Sequence, residues 1–211
     1  QSPSSAASDV YKRQLLDKLP NNSLLILDEA YAEFAPDEAK VPIFLNDPRM
    51  IRFRTFSKAY GVAGARIGYG IGNEELIAEF DKIRNHFGNS LLSQVAAIAA
   101  IKDQRYLSEI VKKISLGREE IYQIAQSNGL SAIPSATNFV AIDCGKDGKF
   151  ADQIMNGLLE AKLFVRKPVV APLDRTIRVT VGRDEEIDLL NLYKRFQFSV
   201  DQLLNIETEI Q

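Results

Sequence analysis

Residues 55–68 read Thr-Phe-Ser-Lys-Ala-Tyr-Gly-Val-Ala-Gly-Ala-Arg-Ile-Gly, and residues 28–31 read Asp-Glu-Ala-Tyr. The first stretch sets Lys58 among hydroxyl-bearing and small residues, eight positions before Arg66. The second sets a carboxylate, Asp28, three residues before a phenol, Tyr31. Apolar runs precede both motifs and predict strands. Because ligands of open α/β sheets bind at the carboxyl ends of the strands, these side chains are expected at one ligand-binding edge.

Pyridoxal phosphate is the cofactor whose chemistry uses this set of groups. Its aldehyde condenses with a lysine amine, its phosphate is bound by hydroxyls and an arginine, and its ring nitrogen pairs with a carboxylate. The sequence therefore predicts Lys58 as the catalytic residue, with Asp28 at the ring nitrogen and Tyr31 at the phenolic oxygen of the ring. The residues expected to bind the phosphate are Thr55, Ser57 and Arg66.

Each of these residues also has an ordinary structural interpretation. A Ser-Lys pair after a strand is commonly an exposed turn, and Asp28 after an apolar run can cap a helix. Arg66 can be a surface charge. No constraint of the fold requires all of these residues at this spacing, and their combination favours the cofactor site.

The pattern resembles the fold-type I pyridoxal-phosphate aminotransferases, and in detail the branch that contains histidinol-phosphate aminotransferase. Besides the two motifs above, Pro-Ser-Ala-Thr-Asn-Phe at 134–139 and Ile-Arg-Val-Thr-Val-Gly at 177–182 occur in the order of that family. The resemblance runs from about residue 24 to about residue 198. It implies an α/β fold, with part of an aspartate aminotransferase-like large domain followed by a small α+β domain. It also implies amino-group transfer between glutamate and an anionic substrate, most simply histidinol phosphate, in a homodimer.

The resemblance assigns further residues to the substrate. Arg178 matches the family arginine that binds a substrate anion, and Arg166 matches an arginine on the preceding strand; a surface charge is the alternative for each. Asn138 contacts the substrate backbone or caps a turn. His86, the only histidine, is either structural or part of side-chain recognition.

Other functions on the same scaffold stay open from the sequence. They are decarboxylation of threonine phosphate and transamination of aromatic or other amino acids. Outside enzymes, aminotransferase-like domains form the cofactor-sensing regions of transcription regulators. A truncated chain without activity is a further alternative.

Composition limits the class of protein. The 211 residues carry 26 basic and 28 acidic side chains, and a net charge of −2 gives no electrostatic footprint for nucleic acid. No apolar run approaches the roughly 18 residues of a membrane span. The single Cys144 excludes an internal disulfide and fits a reducing cytoplasm, and no residues show metal-ligand spacing.

The first residues are predicted to have no structure or function of their own. Residues 4–14 back-translate, in frame, into a transposase adapter used in sequencing libraries, so we interpret Gln1–Gln14 as an artefact. The chain also lacks an initiator methionine. We therefore expect the downstream part of a longer protein. Residues 15–103 are predicted as the remainder of the cofactor-binding domain, and residues 104–211 as a linking helix and the small domain.

Apolar periodicity predicts the secondary structure. Strands are expected at 24–27, 50–56, 67–71, 130–133, 139–143, 164–166 and 176–181. Helices are expected from Asn73, as N-cap, to Arg84, and at 90–102, 104–127, 150–161 and 184–204, the last capped by Asp184. The Ala-rich helix at 90–102 is suited to burial.

Overall fold

The computed structural model describes residues 16–20, 22–40 and 47–192. The chain divides into two compact units, residues 1–111 and 112–211, and the boundary lies within one long helix. The domain limits predicted at 103 and 104 stay a prediction. The predicted artefact at 1–14 lies outside the described residues.

In the described part of unit 1, a three-stranded sheet carries the two sequence motifs. Its order is β1 (Leu25–Asp28), β2 (Met50–Thr55) and β3 (Gly68–Gly72). β1 and β2 are parallel and β2 and β3 antiparallel, which confirms the strands predicted at 24–27, 50–56 and 67–71 to within a residue or two. A Cβ at Gly68 would lie 2.5 Å from the carbonyl oxygen of Arg54, so this pairing requires glycine there.

Capping side chains begin the helices of unit 1. Asn73 caps α1 (Glu74–Asp81) because its Oδ1 accepts a hydrogen bond from the Glu75 N–H at 3.0 Å. Ser90 caps α2 (Leu91–Lys102) in the same way, and α3 (Gln104–Ser127) has the predicted limits. α1 ends three residues before the predicted Arg84. Among the described residues, no helix combines the length and the apolar character needed to cross a membrane.

The exposure of α2 differs from the prediction. Ala97 is buried, but the exposed fractions of Leu91, Leu92 and Val95 are 74%, 82% and 56%. Apolar residues on every side are typical of a fully covered helix. The described residues of unit 1 cover only one side of α2.

Unit 2 contains an antiparallel sheet and its helices. The strands pair in the order β4 (Ser131–Ile133), β5 (Phe139–Asp143) and β6 (Thr176–Thr180), and the helices are the end of α3, α4 (Gly148–Glu160) and α5 (Asp184–Leu192). Asp147 caps α4 through the Phe150 N–H. One sheet face is buried in the core and includes Val140, Ile142, Ile177 and Val179.

Two predictions for unit 2 are wrong. The expected strand at 164–166 is a single antiparallel bridge between Arg166 and Arg178. Pro168 lacks an N–H donor and restricts the residue before it, so the ladder ends there. Asp184 is the first residue of α5 rather than its N-cap, and the Arg183 N–H donates to Glu186 Oε2 at 2.8 Å. Residues 193–204 of the predicted helix lie outside the described residues.

Gly117 sets how closely α3 packs against the rest of unit 2. A Cβ at this buried position would overlap Val181 Cγ1 and lie 3.1 Å from Ile187 Cδ1. We expect Gly117→Ala to lower the free energy of unfolding by about 1–3 kcal/mol through overpacking, although alanine alone favours a helix by about 1 kcal/mol. Urea denaturation measures the change. The control Ser115→Ala, exposed on the same helix, should leave stability unchanged or raise it; equal stability of the two variants would contradict the packing account.

Candidate active site

Lys58 and Tyr31 meet at the carboxyl edge of the sheet in unit 1. The Lys58 Nζ atom lies 5.3 Å from the centroid of the Tyr31 ring. The parallel register, with Asp28 opposite Phe53, brings the ends of β1 and β2 to the same edge. The two motifs, 27 residues apart from Tyr31 to Lys58, are therefore adjacent in space.

Buried neighbours anchor the loop that carries Lys58. The side chain of Lys58 is exposed, whereas Phe56, Ala59 and Tyr60 are buried. The loop is closed by backbone bonds from the Phe56 N–H to the Ile67 carbonyl at 3.3 Å and from the Val62 N–H to the Phe56 carbonyl at 3.1 Å. The Lys58 amine therefore projects into solvent from a loop whose backbone is anchored by buried neighbours.

Gly61 completes the turn after Lys58. Its φ is +73°, a left-handed conformation that glycine adopts without strain, and its N–H donates to the Lys58 carbonyl at 3.0 Å. A Cβ there would lie 2.9 Å from Tyr106 Oη. The backbone conformation favours glycine at this position, and a larger residue would also displace the Tyr106 hydroxyl.

The three residues predicted to bind phosphate belong to the end of β2 and the loop that follows it. The Thr55 Oγ1 atom accepts from the Ser57 N–H at 3.0 Å, which leaves the Thr55 hydroxyl proton to be donated. The bond between Phe56 and Ile67 brings their neighbours, Ser57 and Arg66, to facing positions of the loop. Arg66 has left-handed backbone angles, and its Nη1 donates to the Ala63 carbonyl at 2.9 Å. A guanidinium has further N–H donors for an anion.

Asp28 is exposed at the end of β1. Its Oδ1 accepts from the Ala30 N–H at 3.0 Å, a turn contact rather than a helix cap. Among the described residues, no hydrogen bond or ion pair joins Asp28 to Lys58. The parallel register brings the two residues to the same edge of the sheet, and the role of Asp28 at the ring nitrogen stays a prediction.

Sequence analysis missed an ion network behind this edge. Glu29 accepts from Arg52 Nη2 at 2.6 Å and from Arg54 Nε at 3.0 Å. Arg52 is 1% exposed in an otherwise apolar stretch of β2. Burial acts to lower the pKa of Arg54, but its hydrogen bonds to Glu29 and Tyr69 outweigh this and raise it. The missed signal was two arginines on one face of a strand, next to a motif that contains a glutamate.

Glu33 is a buried carboxylate in the turn after Tyr31. Neither of its oxygens has a hydrogen-bond partner among the described residues. Burial raises the pKa of Glu33, and the weaker opposing effects include a contact with its own backbone N–H, too poor in geometry to count as a hydrogen bond, and the charge of Arg54. The protonated form of Glu33 is therefore favoured by folding.

Arg166 and Arg178 lie directly opposite each other in unit 2. The Arg166 N–H donates to the Arg178 carbonyl at 3.1 Å, and the Arg178 N–H donates back at 2.6 Å. Residues opposed in an antiparallel pair project from the same face. The Arg178 guanidinium carbon lies 3.9 Å from the centroid of the Phe139 ring. Two cations held side by side form a receptor suited to an anion.

The remaining predicted residues have simpler surroundings. The Asn138 carbonyl accepts from the Val181 N–H at 2.9 Å, which ties the residue to the end of β6. His86 is exposed after α1, and the roles of His86 and of the Asn138 side chain stay predictions.

Cys144 is buried, and burial raises the pKa of its thiol to about 11. Within the part of the chain that the structure describes, no three His, Cys, Asp or Glu side chains group as metal ligands.

Comparison with known proteins places this arrangement in a family. The family model "Aminotransferase class I and II" matches residues 1–191. The histidinol-phosphate aminotransferase of Bacillus velezensis is 38% identical over 174 residues, which is 81% of this chain and 48% of the relative. The match to the family model includes residues 1–14, whose predicted adapter origin stays a prediction.

Solved structures agree with the fold. The crystal structure of histidinol-phosphate aminotransferase from Sinorhizobium meliloti, in complex with pyridoxal-5'-phosphate, is 47% identical with a TM-score of 0.86, over 92% of this chain and 53% of that one. A mutant aspartate aminotransferase of Thermus thermophilus shares the fold at 19% identity, with a TM-score of 0.70 over 90% of this chain and 55% of that one. The predicted α/β, aspartate aminotransferase-like fold is confirmed. The chain spans about half the length of these relatives.

The buried carboxyl group of Glu33 makes stability depend on pH. Because its folded-state pKa is raised, the stability contributed by protonated Glu33 is full below the ordinary pKa of 4.5 and is lost as pH rises through the raised value. We expect Glu33→Gln to gain stability relative to the wild type between pH 5 and pH 8, by roughly 1 kcal/mol, the order for a buried unpaired polar group. Urea denaturation at both pH values measures this.

The control for this measurement is Glu119→Gln, which removes an exposed carboxylate from the middle of α3, away from either helix end. Its stability should follow the wild type at both pH values. A Glu33→Gln variant with the pH dependence of the wild type would show that Glu33 is ionised and solvated in the folded chain.

Proposed function

This chain belongs to the aminotransferase class I and II family, and we propose that it forms part of a pyridoxal 5'-phosphate-dependent aminotransferase that acts on histidinol phosphate. The observation that carries the proposal is the meeting of the Lys58 amine and the Tyr31 ring at 5.3 Å on the sheet edge shared by Asp28 and Thr55. The similarity to histidinol-phosphate aminotransferases, at 38% and 47% identity, supports the choice of substrate.

The residues of unit 1 fit pyridoxal phosphate by their chemistry and placement. An exposed amine, a nearby phenol, a carboxylate at the same sheet edge and a loop with two hydroxyls and an arginine match its aldehyde, ring and phosphate. Bound pyridoxal phosphate supplies an electron-withdrawing ring that makes the Cα proton of an attached amino acid acidic. The protein supplies the groups that bind, orient and move protons.

Each residue has a distinct task in this proposal. Lys58 would bind the aldehyde and, once the substrate amine has displaced it, would carry a proton from the substrate Cα to the former aldehyde carbon. Its amine is free to do so because it projects into solvent from an anchored loop. Asp28 holds the proton on the ring nitrogen, and Tyr31 donates to the phenolic oxygen of the ring. The phosphate is bound by Thr55, Ser57 and Arg66, whose guanidinium offers paired donors.

We assign binding of the substrate anion to two arginines of unit 2. Arg166 and Arg178 project from one face of the sheet as directly opposed cations. Charge-assisted hydrogen bonds to a phosphate dianion contribute about 1.5–3 kcal/mol each. A phosphorylated amino substrate satisfies both guanidiniums, which favours histidinol phosphate over a substrate with a single carboxylate.

We further propose that the protein acts as a homodimer in the cytoplasm, as the family resemblance implies. The single Cys144, which cannot form an internal disulfide, is consistent with a reducing compartment. Threonine-phosphate decarboxylation remains the alternative for the phosphate-binding arginines. Product formation by the full-length gene product, from histidinol phosphate, threonine phosphate and phenylalanine, distinguishes the substrates, and light scattering measures the oligomeric state.

Lys58 is the residue on which the proposed chemistry depends. We expect pyridoxal phosphate mixed with this chain to absorb at longer wavelength than the free cofactor, and Lys58→Ala to abolish the change because the aldehyde loses its amine. In the full-length gene product, the same substitution should lower amino-group transfer by about 10²–10⁴-fold.

A matched substitution, Lys112→Ala, removes another exposed lysine and should leave both measurements unchanged. Spectra that do not differ between wild type and Lys58→Ala would reject Lys58 as the residue that binds the aldehyde.

A further inference from the structure

The geometry of unit 2 points to Phe139 as a positioning residue for the substrate anion: its ring holds the Arg178 guanidinium in the orientation that binds the anion. This role rests on the anion-binding function proposed above for Arg178, and it assigns a task to a residue outside the predicted site.

The two side chains are diagonal neighbours on one face of the sheet. β5 and β6 are antiparallel with Ala141 opposite Arg178, so Phe139, two residues before Ala141, projects from the same face. The guanidinium carbon lies 3.9 Å from the ring centroid, within the range of a cation–π contact. A stacked guanidinium has lost most of its alternative rotamers before any ligand arrives.

Two features of the Arg178 surroundings favour an anion beside it. Its Nε atom is buried and has no hydrogen-bond partner among the described residues. Its cross-strand neighbour, Arg166, is a second cation. An unpaired buried donor and a like-charge pair both destabilise the fold. An oxyanion that accepts from both arginines removes both costs, whereas the ring of Phe139 only orients Arg178.

Phe139 is itself held by backbone contacts on both sides. It lies opposite Thr180 in the ladder, and the Val181 N–H bonds the carbonyl of the preceding residue, Asn138, at 2.9 Å. The Ser135 hydroxyl donates to the Phe139 carbonyl at 2.5 Å. The backbone from which the ring projects is therefore fixed at the end of the strand.

Contacts from α3 hold the loop that leads to this strand. Arg118 Nη1 donates to the Thr137 carbonyl at 2.8 Å, and Tyr122 Oη accepts from the Ser135 N–H at 2.8 Å. A rigid ring on a rigid loop is what a platform for a flexible arginine requires. Pre-organisation of this kind strengthens binding because less freedom is lost when the ligand arrives.

Titration of the ¹⁵N-labelled chain with inorganic phosphate tests the role of Phe139. The arginine Nε–Hε signals report binding, and Arg178→Lys identifies the Arg178 signal. We expect Phe139→Leu and Phe139→Met to weaken phosphate binding by about two- to tenfold, the effect of freeing one long side chain. They should also remove the ring-current shift of the Arg178 protons. Phe139→Tyr, which keeps the ring face, should bind within about twofold of the wild type.

Three results would overturn the inference. One is folded Phe139→Leu or Phe139→Met protein, judged by its amide spectrum, with wild-type phosphate affinity. If Phe139→Leu does not fold, Phe139→Met and Phe139→Tyr decide between the ring and simple bulk. The others are the absence of phosphate binding in the wild type and unchanged binding in Arg178→Lys. Phosphate binding needs no pyridoxal phosphate, so its failure leaves the absorbance test of Lys58 standing, and the converse also holds.

Discussion

The carboxylate of Glu29 joins the turn after β1 to two arginines of β2, and the geometry of the lysine site depends on this junction. The bonds to Arg52 at 2.6 Å and to Arg54 at 3.0 Å lie just behind the ends of both strands. Removing one partner of a buried ion pair costs about 3–5 kcal/mol, because the other charge is left uncompensated. The parallel ladder sets the register, and the ion network holds the carboxyl edge of the sheet together where Tyr31 and Lys58 meet.

In unit 2, an apolar core rather than an ion network holds the strands in position. Its sheet buries one face in an apolar core and leaves cations and an aromatic ring on the other. Successive side chains along β5 and β6 point to opposite faces of the sheet. The apolar core residues therefore lie on one face, and Arg178 and Phe139 lie on the other. The same strands therefore stabilise the unit through Val140 and Ile177 and offer Arg178 to a ligand. Stability and the proposed anion binding therefore depend on one register.

The sequence predicted the fold and the meeting of the two motifs at one sheet edge better than it predicted the contacts that support them. The cap at Asn73 and the limits of α3 follow from local chemistry that a short stretch reveals. The bridge at Arg166 replaced a strand because Pro168 ends the ladder, an effect that depends on the partner strand. The network around Glu29 and the stacking of Arg178 on Phe139 both join residues that are distant in sequence. Periodicity carries no information about such pairs until the strands are aligned.

The central claim is that Lys58 and Asp28 address the two ends of one pyridoxal phosphate ring. A crystal structure of this chain with pyridoxal phosphate tests it most directly. The account predicts density continuous from the Lys58 Nζ atom to the aldehyde carbon, with the ring nitrogen within hydrogen-bonding distance of an Asp28 oxygen. Density joined to another lysine, or a ring whose nitrogen faces away from Asp28, would contradict it.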